Sequence, residues 1–128
     1  MIVGLGLDLI EVDRIREVCL RHQDRFTHRV LTEAERAYVL KFKDPAERIA
    51  GRWAAKEAAF KALGTGLAEG MRWHDVEIVR APSGKPDICF HGEALRRFHA
   101  LGATRCHLTI THGNNLAVAQ VILENGAG

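Results

Sequence analysis

Near the start of the chain Val3, Leu5, Leu7 and Leu9 alternate with Gly4, Gly6 and Asp8. A period of two predicts a half-buried strand with one aliphatic face and one face of two glycines and a carboxylate. Glycine inside a strand marks close approach by a ligand or another backbone. Helical spacing takes over from about Val12 to Arg21. Val12, Ile15 and Cys19 point inward, and Arg14, Val18 and Arg21 share another face whose spacing Arg25 continues. Thr32-Glu33-Ala34-Glu35 has the S/T-x-x-E form of a capping box, so a second helix begins there and runs to about Phe42. Asp44-Pro45-Ala46-Glu47 reads as another helix start, with Asp44 as N-cap and proline in the first turn. That helix passes through Trp53 to Leu63, and Gly64 ends it. Ala50, Gly51, Ala54, Ala55, Ala58, Ala59 and Ala62 leave its surface low enough for another element or a ligand to come close.

After Gly70 the pattern turns to strands. Val76 and Ile78 mark one, Pro82-Ser83-Gly84-Lys85-Pro86 a turn, and Ile88 to Phe90 the returning strand. A helix from about Glu93 to Leu101 stops at Gly102. Cys106, Leu108 and Ile110 alternate as a further strand, Gly113-Asn114-Asn115 turns the chain, and Leu116 to Leu123 completes a hairpin. The sum is an α+β fold, a mainly antiparallel sheet packed with helices. Residues 1–125 read as a single domain and residues 126–128 as a flexible tail.

Composition narrows the class. A chain of 128 residues, 47% hydrophobic and 27% charged, can bury a core without a disulfide or structural metal. It has no apolar run near the roughly 20 residues of a membrane span, and Met1-Ile2-Val3-Gly4 lacks the pattern of a secretory signal. A cytoplasmic protein without membrane insertion is expected. Cys19, Cys89 and Cys106 form no CxxC pair and read as reduced thiols. A formal net charge of +2 is too mild to imply nucleic acid.

The candidate chemistry begins with Asp8 on the glycine face of the first strand. Glu57 and Lys61 are four apart on the alanine-rich helix and share a face. An Asp and a Glu from separate elements suit Mg²⁺, which favours one or two carboxylates with phosphate oxygens and water, and a neighbouring lysine suits phosphate. The same residues also read as an exposed i,i+4 ion pair and a capping aspartate. Gly64-Thr65-Gly66 is either a helix cap or a loop that turns N–H groups to an anion. Ser83-Gly84-Lys85-Pro86 is equally open. His112 ends a strand at Thr111-His112-Gly113, where functional side chains collect. The other six histidines have no ligand-like spacing. No nucleophile elbow, Walker motif or dinucleotide glycine motif is present, so direct transfer between two bound substrates fits better than a covalent enzyme intermediate.

Taken together, several segments resemble the holo-acyl-carrier-protein synthases, a family of 4′-phosphopantetheinyl transferases. They are Gly4 to Glu11 (GLGLDLIE), Phe26 to Glu35 (FTHRVLTEAE) and Arg52 to Gly66 (RWAAKEAAFKALGTG), with Gly84-Lys85-Pro86 and Thr111-His112 following in order. The resemblance spans nearly the whole chain. It implies the 4′-phosphopantetheinyl transferase-like fold and Mg²⁺-dependent transfer of the phosphopantetheine arm of coenzyme A to a serine of apo acyl carrier protein. Adenosine 3′,5′-bisphosphate leaves, and the product serves fatty-acid or polyketide biosynthesis. By motif match, Asp8 and Glu57 hold Mg²⁺ and Lys61 contacts the phosphates. Gly64, Thr65, Gly84, Lys85 and Pro86 line the coenzyme pocket. Glu57 or a metal-bound water takes the serine proton, and His112 either assists or binds the 3′-phosphate. Arg14, Val18, Arg21, Arg25, Phe26 and Arg29 form the docking face for an acidic carrier protein, and the resemblance further implies a homotrimer with the coenzyme between subunits. Two competing readings are a metal-dependent nuclease, which the mild charge opposes, and a non-catalytic module for acidic proteins, which leaves the E-x-x-x-K arrangement without a purpose.

Overall fold

The computed structural model describes residues 1–22, 24–67 and 70–126. Its elements are β1 (Ile2–Glu11), α1 (Val12–His22), α2 (Asp24–Val30), α3 (Glu33–Val39), α4 (Ala46–Leu63), a 3₁₀ turn (Trp73–Asp75), β2 (Val76–Arg80), β3 (Pro86–Phe90), α5 (Gly92–Ala100), β4 (Arg105–Gly113) and β5 (Leu116–Glu124). The strands form two antiparallel sheets, β1-β5-β4 and β2-β3. The buried residues form a cluster around α4, of which thirteen residues are buried. Such a helix, buried on nearly every side, lies in the centre of the core.

β1 runs the opposite way round from what a buried aliphatic face would require. Leu5, Leu7 and Leu9 are each about 60% exposed, whereas Gly6 is buried against α4. A Cβ on Gly6 would fall on the carbonyl oxygen of Ala58 and within 2.9 Å of Ala62 N, and one on Gly4 would fall on the carbonyl oxygen of Ala62. Backbone therefore packs on backbone, and any side chain at these two positions would force strand and helix apart. Register carries the split across the sheet. Leu5, Leu7 and Leu9 oppose Ile122, Gln120 and Val118 on the outer face, while Gly6 and Asp8 oppose Val121 and Ala119 on the inner one. The outcome is an open aliphatic face of five side chains on β1 and β5.

Local signals account for most boundaries. The capping box holds: Thr32 Oγ1 accepts from Glu35 N and Glu35 Oε1 from Thr32 N. Asn114 and Asn115 both take positive φ, as a two-residue hairpin turn requires. Three boundaries differ. α2 is a separate seven-residue helix, too short for its periodicity to be read apart from that of α1. α3 ends at Val39, because Lys41 and Phe42 bond back only three residues. Pro45, not Asp44, is the N-cap of α4; the Asp44 carboxylate pairs with Arg16 at 2.5 Å. Of the expected tail, Gly126 bonds Thr104 Oγ1 at 2.5 Å, and residues 127–128 lie outside the described residues.

One polar contact ties the elements around α4 together. Lys56 and Glu35, both fully buried, meet at 2.9 Å. The lysine also donates to the carbonyls of Trp73 and Val76, and Glu35 Oε2 accepts from Ile78 N. All three ammonium donors are thus met, although burial still pushes the Lys56 pKa down against the pull of Glu35. Removing one partner strands a buried charge. Glu35→Ala is expected to cost about 3–5 kcal/mol in urea unfolding, and the double variant Glu35→Leu/Lys56→Met should recover much of that. A double variant no more stable than Glu35→Ala would show that packing, not the unpaired charge, carries the effect.

Candidate active site

The close approach of β1 to α4 decides where Asp8 goes. Two residues beyond Gly6, and on the same face, its carboxylate emerges beside the C-terminal half of α4, with its side chain 15% exposed. Glu57 and Lys61 reach the same place from the helix. Lys61 Nζ lies 3.1 Å from Asp8 Oδ1 and 2.9 Å from the carbonyl oxygen of Leu7. Glu57 is half-buried. Its pKa is raised, first by that burial and then by Asp8, and Lys61 opposes the rise. Two carboxylates, a main-chain carbonyl and an ammonium thus share one site, and the ammonium already marks it as a place for positive charge. This all-oxygen donor set fits a hard divalent cation such as Mg²⁺.

Gly64 caps α4 with φ of 81°, and Gly66 also has positive φ. The main-chain N–H groups of Gly64, Thr65 and Gly66 all turn back to the carbonyl of Phe60. Gly64–Gly66 therefore acts here as the helix's own C-cap beside the carboxylates.

A second cluster sits toward the other end of α4. Pro86 and His112 line a cleft of about 390 Å³ with Arg48, Arg52, Arg80 and Tyr38. His112 Nδ1 is 3.1 Å from Glu47 Oε1. Gly84 sits in the β2-β3 turn at φ of 88°, and Lys85 is exposed there. The arginines were not singled out from the sequence. Aromatic rings hold them: Arg52 lies 4.4 Å and Arg80 4.9 Å from the Tyr38 ring centre, and Arg48 lies 4.2 Å from that of Phe42. Arg80 also donates to the Tyr38 hydroxyl at 2.6 Å. Arg52 is 6% exposed, burial pushes its pKa down, and its Nε is the buried side-chain polar atom without a partner among the described residues. Arg48 is also paired with Glu47 Oε1 at 3.1 Å; Arg52 and Arg80, backed by the Tyr38 ring, keep most of their charge for a ligand, and phosphate matches a guanidinium fork. The readable signal was the i,i+4 pairs Arg48/Arg52 and Tyr38/Phe42.

The expected docking residues are brought together only loosely. Arg14, Arg21, Arg25 and Arg29 are exposed and Val18 is half-buried. Arg21 pairs with Glu17 at 2.8 Å. Phe26 stacks on Trp53 at 5.6 Å, and it lines a shallow hollow with His22, Arg25 and Arg29. The three cysteines are free, and no helix among the described residues is long and apolar enough to cross a membrane.

The chain and its fold have close counterparts. Residues 4–120 match the model of the 4′-phosphopantetheinyl transferase superfamily. A holo-[acyl-carrier-protein] synthase of Solidesulfovibrio magneticus is 50% identical over 124 residues, covering 97% of this chain and 99% of that one. Among solved structures, the holo-[acyl-carrier-protein] synthase of Neisseria meningitidis superposes with a TM-score of 0.87 at 30% identity, covering 97% of this chain and 99% of that one. The Bacillus anthracis holo-(acyl-carrier-protein) synthase, in complex with coenzyme A (3′,5′-ADP), superposes with a TM-score of 0.81 at 38% identity, covering 98% and 99%.

The raised pKa of Glu57 sets a pH dependence. Below the ordinary glutamate range the folded and unfolded chains both keep the proton. As pH rises through that range the unfolded chain loses it first, so stability falls until the folded carboxyl ionises too. In metal-free protein Glu57→Gln is therefore expected to raise Tm by a few degrees at pH 7, with the gain vanishing near pH 4. A gain independent of pH in thermal melts would contradict this origin.

Proposed function

This chain belongs to the 4′-phosphopantetheinyl transferase superfamily, in the family of the holo-[acyl-carrier-protein] synthases, and from that premise we propose that it moves the 4′-phosphopantetheine of coenzyme A onto a serine of apo acyl carrier protein. The observation that carries the reading is the convergence of Asp8, Glu57 and Lys61 at one place, from two elements held in backbone contact. Asp8 and Glu57 would hold Mg²⁺. That ion, when bound, supplies positive charge to the phosphoryl oxygens.

The chain's own groups account for the rest. The serine oxygen bonds to the β-phosphorus of coenzyme A as the bond from that phosphorus to the bridging pyrophosphate oxygen breaks, and adenosine 3′,5′-bisphosphate departs. Glu57 takes the serine proton. Lys61 offsets charge on the transferring group, and positioning with electrostatics is what such transfers chiefly need. The cleft of Arg48, Arg52, Arg80 and His112 binds the nucleotide phosphate of the coenzyme, beside the turn of Gly84, Lys85 and Pro86; Gly64 and Thr65 border the pyrophosphate. Arg14, Val18, Arg21, Arg25, Phe26 and Arg29 receive the acidic carrier protein, where opposite charge speeds encounter. The reaction serves fatty-acid or polyketide synthesis in the cytoplasm.

We also propose that the working form is a homotrimer. Arg52 and Glu57 are five residues apart, which turns a helix by about 140°, so the two charged clusters lie on different sides of α4. The open face of Leu5, Leu7, Leu9, Val118 and Ile122 is the kind of apolar patch that another subunit covers, and such an interface suits a coenzyme shared between chains.

Mass spectrometry of apo carrier protein incubated with the protein, coenzyme A and Mg²⁺ should show a gain of one phosphopantetheine. Asp8→Asn and Glu57→Gln should slow it on the order of a hundredfold or more; no gain with several carriers would reject the transfer. Light scattering should give three times the chain mass, and Leu7→Glu should yield monomers with little transfer. A Leu7→Glu monomer of full activity would remove the shared site.

A further inference from the structure

The ammonium group of Lys61 already rests in the oxygen cluster that a divalent ion would use. Its two acceptors are Asp8 Oδ1 at 3.1 Å and the Leu7 carbonyl at 2.9 Å. The lysine side chain is 52% exposed and that of Asp8 15%. Lys61 thus enters from the solvent side and closes over the carboxylate. Its flexible stem lets the charge swing elsewhere without moving the helix. An ammonium and a divalent cation on one carboxylate repel each other at a few ångströms, so the two states of Lys61 exclude one another.

We propose that Lys61 is the resident counter-ion of Asp8, that it competes with the divalent ion for this carboxylate, and that uptake of the ion frees its ammonium for the phosphates of coenzyme A. The inference rests on the assignment of Asp8 and Glu57 as the cation site. Lys61 then plays two roles of opposite sign. In the free protein it weakens cation binding, and with the cation in place it strengthens coenzyme binding. The two ligands are thereby linked through one side chain, and by reciprocity each promotes the other.

The test is Mn²⁺ binding followed by electron paramagnetic resonance, without coenzyme A or carrier protein, on variants whose folding is checked by circular dichroism. Lys61→Met is expected to bind Mn²⁺ about two- to fivefold more tightly than the parent, the factor to which breaking an exposed ion pair converts. Lys61→Arg, which can keep the contact, should stay near the parent value. The gain should persist at 0.3 M KCl, since a contact pair is screened less than distant charge. Unchanged or weaker binding in Lys61→Met, or a gain that disappears in salt, would overturn the competition. Asp8→Asn separates the two levels: if it leaves Mn²⁺ binding intact, the cation-site assignment fails, and if it abolishes binding while Lys61→Met changes nothing, only the competition fails.

Discussion

Everything at the candidate site depends on how closely β1 lies on α4. Gly4 and Gly6 have no side chain to hold the strand away, and the helix meets them with the backbone of Ala58 and Ala62. Backbone-to-backbone packing of this kind brings an aspartate from the inner face of a strand and a glutamate and lysine from a helix face to one site. It also fixes which way the strand faces. Once the glycines take the inner side, the leucines have no choice but the outer one, and the apolar surface left open there follows from the same contact that builds the site.

Charge is distributed around α4 in three separate ways. At Lys56 it is buried and fully met by Glu35 and two carbonyls, a closed arrangement with nothing left for a ligand. At Arg52 and Arg80 it is held mostly by the ring of Tyr38, which fixes the guanidiniums while leaving much of their field free, and at Arg48 by the ring of Phe42 together with the Glu47 carboxylate. At Lys61 it is balanced against two carboxylates in a half-open setting, where a new charge can rearrange it. The first arrangement serves the fold, the second suits a fixed anion, and the third suits a site whose occupancy changes.

Helix starts and turns were the legible part of the fold, because their signals are local. Thr32 and Glu35 satisfy each other within four residues, and Asn114-Asn115 takes the positive φ a tight hairpin needs. The helix α2 escaped for the opposite reason. α2 offers too few residues for a period, and its arginines continue the spacing of α1. The cap position fell one residue later than Asp44, on Pro45; Asp44 Oδ1 still accepts weakly from Ala46 N at 3.4 Å, while Oδ2 is taken by Arg16, a partner 28 residues away that local patterning cannot see. The same limit hid the three-arginine cleft, whose members come from α4 and β2, with Arg52 and Arg80 meeting on Tyr38 of α3.

By itself, then, the sequence determined the α+β class and the order of every element but α2 and the 3₁₀ turn, along with a family resemblance that the comparisons bear out. These rest on periodicity, caps and motif order, which are properties of neighbouring residues. Only the tertiary structure decided which face of β1 is inside, that Lys61 turns to Asp8 and the Leu7 carbonyl, that Lys56 is buried while Lys61 is not, and that Arg48, Arg52 and Arg80 share a cleft with His112. Each depends on which distant groups compete for the same partner or the same space, and that competition exists only once the chain has folded.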